Sequence, residues 1–200
     1  MSGTFPSTPA PASIDVTSFE PNLVSVTSNL RRQVRSRGAQ RWLFKVRFPP
    51  LSRAEHDSIY AFSILQRGQF EKFTWVPKTI GTTRGVTSQN PVVSAAAAVG
   101  VNAVSVDGLS NSTSNILRSG DFIKFSGHTK VYMVTADMSS SGSGTATLNF
   151  SPKLTTAVAD NETVTTNNVP FQVAFSNDSR SYTTDSSGYY SYEIDLVEVV

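Results

Sequence analysis

Residues 40–48 read Gln-Arg-Trp-Leu-Phe-Lys-Val-Arg-Phe, and their alternation constrains the fold more than any other stretch. Trp42, Phe44, Val46 and Phe48 fall on one side of an extended chain, and Arg41, Lys45 and Arg47 on the other. The spacing predicts a strand with an aromatic core face and a basic outer face. Pro49-Pro50 ends it, because neither residue can donate to a sheet ladder. A helix signature follows: Ser52 as N-cap, Glu55 three residues on to complete a capping box, and Ile59, Phe62 and Leu65 at helical spacing. Gly68, after Arg67, is the expected C′ residue. Residues 69–76 predict a second aromatic strand carrying Phe73 and Trp75, ended by Pro77. Trp42, Phe44, Phe48, Phe62 and Trp75 are therefore the expected core of this part of the chain.

The texture changes on either side. Residues 1–12 are rich in Pro, Ser and Thr and predict an extended arm, which we take to 21. Residues 22–28 and 30–37 have β character, with Gly38-Ala39 as a turn. From 78 to 154 aromatic residues thin out and Gly and Ser become frequent. Within that stretch 122–126, 130–136 and 145–150 predict strands, with turns at Gly127-His128 and a long flexible hairpin tip at 139–144. The uncharged run from Gly85 to 106 is too short and too interrupted, by Pro91, Gly100 and Asn102, for a membrane span. It predicts a linker and a buried strand at 102–106. Strands at 169–175 and 189–199 close the chain, the latter with Tyr190, Tyr192, Ile194 and Leu196 on one face and Glu193 and Asp195 on the other. The resulting division is an arm over 1–21, a main β domain from 22–77 and 155–200, and an inserted antiparallel β-subdomain over 78–154.

Composition supports a real core, with 38% hydrophobic and 10% aromatic residues, and only 16% charged. There is no cysteine, which excludes disulfides and thiolate metal sites. No basic-then-apolar leader stands at the start of the sequence, so no secretory signal is expected. The net charge of +2 hides an asymmetry. Residues 1–84 hold twelve basic and five acidic side chains, and the remainder holds five basic and ten acidic. The excess is concentrated in Arg31, Arg32, Arg35, Arg37, Arg41, Lys45 and Arg47. Such a run suits nucleic acid or an acidic protein surface. The aromatics beside Arg41, Lys45 and Arg47 face the opposite way, into the core, where they cannot stack on bases. Protein contact through Glu193 and Asp195, in the same chain or the next subunit, is the favoured reading, and nucleic acid is the disfavoured one.

Catalytic chemistry is not indicated. His56 sits in the capped helix and His128 in a tight turn, positions that suit packed or solvated imidazoles. No His/Asp/Glu grouping has metal-ligand spacing and no phosphate-binding Gly loop follows a strand. Asp121 with Asp137, or Glu193 with Asp195, could be drawn as a glycosidase pair. Charge pairing with the basic strand is the better account of the second. No enzyme activity and no cofactor are expected.

The run 40–55, continuing through the helix to Arg67-Gly-Gln-Phe70, resembles minor tail and baseplate proteins of tailed phages. The segments Leu117-Arg-Ser-Gly-Asp-Phe-Ile-Lys-Phe, 131–137 and 192–198 resemble the same group. The resemblance implies a mainly β protein with one principal helix, a tail-type β-sandwich or barrel carrying the inserted subdomain. It implies a place in the virion, homo-oligomeric rings, expected as hexamers, and other tail or baseplate proteins as partners. A carbohydrate- or receptor-binding virion module and a nucleic-acid-contacting tail-lumen protein are the alternatives.

Overall fold

Strand β4 (Arg41–Arg47) forms where the alternation predicts it, burying Trp42, Phe44 and Val46 and exposing Arg41 and Arg47. The computed structural model describes residues 3–85 and 91–200. The chain forms two compact units, one of Met1–Thr74 with Val173–Val200 and one of Trp75–Gln172. The fold is mainly β with a single helix among the described residues, as the sequence predicts.

In the first unit, β4 lies between β1 (Ser13–Phe19) and β14 (Tyr190–Glu198), antiparallel to both. The sheet continues through β12 (Phe171–Phe175) to β5 (Phe73–Trp75), while β13 (Tyr182–Thr184) pairs with the start of β14. The register puts Ile14, Val46 and Ile194 in line, and Val16, Phe44 and Leu196 in line. Every member of these rows is apolar, so a slip of one residue on any strand would turn its charges into the core.

Helix α1 (Arg53–Leu65) starts at Ser52, whose N–H and Oγ both donate to the Glu55 carboxylate at 2.9 and 2.7 Å. Its inward stripe is His56, Ile59, Ser63 and the following Gln66, with Phe62 half-buried. Leu65, expected on that stripe, is 70% exposed, because the inward positions follow 59, 63 and 66 rather than 59, 62 and 65. The helix also ends one residue earlier than expected. Gln66 is the C-cap, and Arg67 and Gly68 both take positive φ, 53° and 67°. Gly68 is still required: a Cβ there would lie 2.6 Å from Asp178 Oδ1, which accepts the Gln69 N–H.

Residues 1–12 are not all arm. Thr4 forms a parallel bridge with Thr74, and Phe5 is buried against Phe48, Phe62 and Phe73. Residues 13–19, read as arm, form β1. Its alternation, Ile14 and Val16 against Ser13, Asp15 and Thr17, is shorter and weaker than that of β4. The predicted strand over 69–76 shrinks to the three residues of β5, since 66–70 are occupied by the helix-terminating turns.

The second unit is a barrel-like sheet in the order β11 (Val164–Thr165), β8 (Phe122–Phe125), β9 (Tyr132–Val134), β10 (Ala146–Ser151), β7 (Ala103–Asp107), β6 (Val92–Val93). A bridge between Val92 and Thr163 brings its first and last strands together. Phe125, Tyr132 and Phe150 fill the interior with edge-to-face contacts of 5.2–5.6 Å. Val104 and Val106 of β7 are buried with them, as the predicted strand at 102–106 requires. The linker expected just before it falls partly on 86–90, outside the described residues. Residues 155–172 belong to this unit rather than to the main domain, because β11 completes the barrel. Two residues are too few to leave a periodic signal. Trp75, expected in the main core, ends β5 and is buried near Phe171 at the start of β12.

Asp121 organises one end of the barrel. Its buried carboxylate accepts from Thr83 Oγ1 at 2.5 Å, Arg118 N at 2.9 Å and Arg84 N at 3.1 Å, and pairs with Arg84 Nε at 3.3 Å. Burial pushes its pKa up, but these donors outweigh burial and hold it below the ordinary carboxylate value. Asp137 accepts the Ser119 N–H at 2.8 Å. Both carboxylates of the imagined glycosidase pair therefore serve the backbone. The segment 139–144 is not a free tip either: Ser140 Oγ donates to Ser110 O and accepts the Thr113 N–H.

Truncating Trp42 or Phe44 to Ala should destabilise the first unit by about 3–5 kcal/mol, read from urea midpoints. A Trp42→Ala chain melting like the parent would contradict the register above. A fragment spanning residues 75–172 should fold alone with a single cooperative transition, because it carries its own closed core.

Candidate functional site

The outer face of the first unit's sheet carries the expected charges, and the register decides how they meet. Lys45 lies opposite Asp15 on one side and Asp195 on the other, while Arg47 lies opposite Ser13 and Glu193. Lys45 Nζ reaches Glu193 Oε1 at 2.5 Å. Arg47 donates through Nε to Glu193 and through Nη1 to Asp15, both at 2.9 Å. Asp195 adds its field to Lys45 without a direct bridge. Four side chains from three strands thus neutralise one another within one chain. Asp15 is the partner that sequence reading missed, hidden in the segment taken as arm.

These side chains are 41–55% exposed, so the network contributes register rather than much stability. The hydrogen bond from Lys45 holds the Glu193 pKa below its ordinary value, and the same bond raises that of Lys45. The remaining basic residues behave differently. Among the described residues, Arg31, Arg32, Arg35, Arg37 and Arg41 make no salt bridge, and no acidic residue lies between Glu20 and Glu55.

Four of those arginines belong to, or flank, a hairpin of β2 (Asn22–Val26) and β3 (Arg32–Ser36). Every residue of both strands is exposed. Cross-strand pairing places Val24 opposite Val34 and Val26 opposite Arg32 on one face, with Leu23 opposite Arg35 and Ser25 opposite Gln33 on the other. Leu23, Val24, Val26 and Val34 are 52–59% exposed, and Leu30, in the tight turn at positive φ, is 84% exposed. A lone two-stranded ribbon is marginal in water. The β character expected of 22–28 and 30–37 is realised, but in strands whose residues are all exposed.

The histidines are packed. His56 is buried among the rings of Tyr60, Tyr182, Tyr190 and Tyr192. His128 meets the Tyr132 hydroxyl at 3.0 Å. No group of three or more potential metal-ligating side chains occurs among the described residues, and no described helix is long and apolar enough to cross a membrane.

Residues 82–169, the barrel and its flanking turns, match the model of a phage tail protein family. That family is described as distal tail protein pb9, B domain, and the match spans rather less than half of the chain. It supports a tailed-phage, distal-tail-like protein, located in the virion tail and with a structural role there. No curated protein matches the chain.

Glu193→Gln should be less stable than the parent at neutral pH and equally stable in acid. A carboxylate whose folded pKa is depressed stabilises above its unfolded value, near 4.5, and loses that contribution as pH falls through the folded value. Urea midpoints of parent and variant should therefore converge below 4.5. A gap that persists in acid would mean that the network is not electrostatic.

Proposed function

We propose that this chain is a ring-forming structural component of a phage tail or baseplate, without catalytic activity, that joins neighbouring tail proteins. The observation that carries the reading is the hairpin of β2 and β3. It presents exposed valines on one face and open backbone edges on both sides, and a second copy of the chain offers complementary edges. Head-to-tail pairing of such ribbons closes into a ring when the rotation per subunit closes. The resemblance to tail and baseplate proteins implies six copies. The exposed side chains of Ile64, Leu65 and Phe70, at and just beyond the end of α1, are offered to adjoining tail proteins.

In this reading Lys45, Arg47, Glu193 and Asp195 serve assembly indirectly, by fixing the register of the sheet from which the hairpin springs. Arg41 lies where that sheet meets the hairpin.

Mass photometry of the purified chain should show a species near six times 21.6 kDa. Val24→Asp with Val34→Asp should abolish it while leaving the thermal midpoint of the subunit within a few degrees of the parent. Rings that persist in the double variant would remove the hairpin from the interface. A parent that stays monomeric at high concentration would defeat ring formation itself.

A further inference from the structure

The basic run 31–47 looks continuous in sequence, but the fold divides it. Lys45 and Arg47 are neutralised by Glu193 and Asp15 within the sheet. Arg31, Arg32, Arg35 and Arg37 are left on a projecting ribbon without a carboxylate. Cations held close together without counter-charges create a positive potential that attracts an anionic partner.

The alternation specifies the face. Thr27 N–H donates to Arg31 O and Arg37 N–H to Pro21 O, which extends the β2–β3 ladder by one residue at each end. Arg31, Gln33, Arg35 and Arg37 consequently share one face, together with Ser25 and Leu23, and the valine cluster lies on the other. Each member of that row is a hydrogen-bond donor. At about 3.4 Å rise per residue, successive members stand about 6.8 Å apart, which is the axial rise of two nucleotides on one strand of a duplex. The ribbon itself carries no aromatic side chain, so stacking on unpaired bases has no platform. A two-stranded ribbon is also one of the elements that the major groove of B-form DNA admits.

We infer that the Arg31, Gln33, Arg35 and Arg37 face of the hairpin binds the phosphate backbone of double-stranded DNA without sequence preference. The donors recur at twice the axial phosphate rise, and a duplex supplies phosphates to them in uninterrupted series, whereas an acidic protein matches the row only by presenting a strand of alternating carboxylates. The site does not depend on ring formation, because all of its residues come from one chain.

The test is binding of the full chain to a mixed-sequence 30-base-pair duplex by fluorescence anisotropy, over roughly 50–200 mM salt, with poly-glutamate as the competing probe. The parent should bind with a steep salt dependence. Arg31→Gln, Arg35→Gln and Arg37→Gln together should make the slope of log K against log salt shallower by about 2.7, at roughly 0.9 per phosphate contact. The matching Arg→Lys triple variant should keep the slope, and Arg47→Gln, taken from the neutralised network, should not change it. Equal thermal midpoints for parent and variants exclude unfolding as the cause. Three results would each overturn the inference: no duplex binding at low salt, duplex binding with the same slope in the glutamine variant, or capture of poly-glutamate in preference to DNA.

Discussion

Strand β4 is hydrogen-bonded on both sides, and its seven residues serve two purposes at once. Trp42, Phe44 and Val46 form the inward row against which β1 and β14 align their own apolar residues. Lys45 and Arg47 form the outward row that holds Asp15 and Glu193 across the same two strand pairs. The inner row supplies the stabilisation, since buried aromatic area dominates such ledgers. The outer row adds little energy, and in the observed register Arg47 ties β4 to both neighbours by meeting Asp15 and Glu193. Packing of Phe5, Phe62 and Phe73 over the same sheet depends on that inner row being where it is.

Elements with several apolar–polar alternations or a full cap signature were legible in the sequence. The strand at 41–47, the helix with its Ser52–Glu55 box and the strand at 190–198 stand close to their expected positions. What was hidden had a common cause: its stabilising partner is distant in sequence or too short to be periodic. β1 owes its pairing to β4, and β11 has two residues and is held by β8 and by the bridge at Thr163. Leu65 satisfied a spacing rule that allows either of two adjacent helical stripes, and only the packed partners select between them.

For the charged face, residue types and sides could be read from alternation, and the pairing could not. Glu193 was an expected partner of the basic strand. Asp15 was not, because its segment looks like a Pro- and Ser-rich arm until the strand beside it is known. The division of the basic run into a neutralised part and an uncompensated part also required the fold. Sequence shows seven cations in seventeen residues, and only the sheet register shows which of them already have anions.

The chain leaves the first unit's sheet at β5 and re-enters it at β12, and these two strands are neighbours in that sheet. Two adjacent strand ends are separated by only about 4.8 Å, so the sheet imposes almost no requirement on what is threaded between them beyond a matched pair of ends. An evolving genome could therefore exchange, enlarge or delete the barrel as a cassette while the surrounding sheet kept its register. Diversity would then be expected to collect between residues 75 and 172, with the scaffold on either side changing far more slowly.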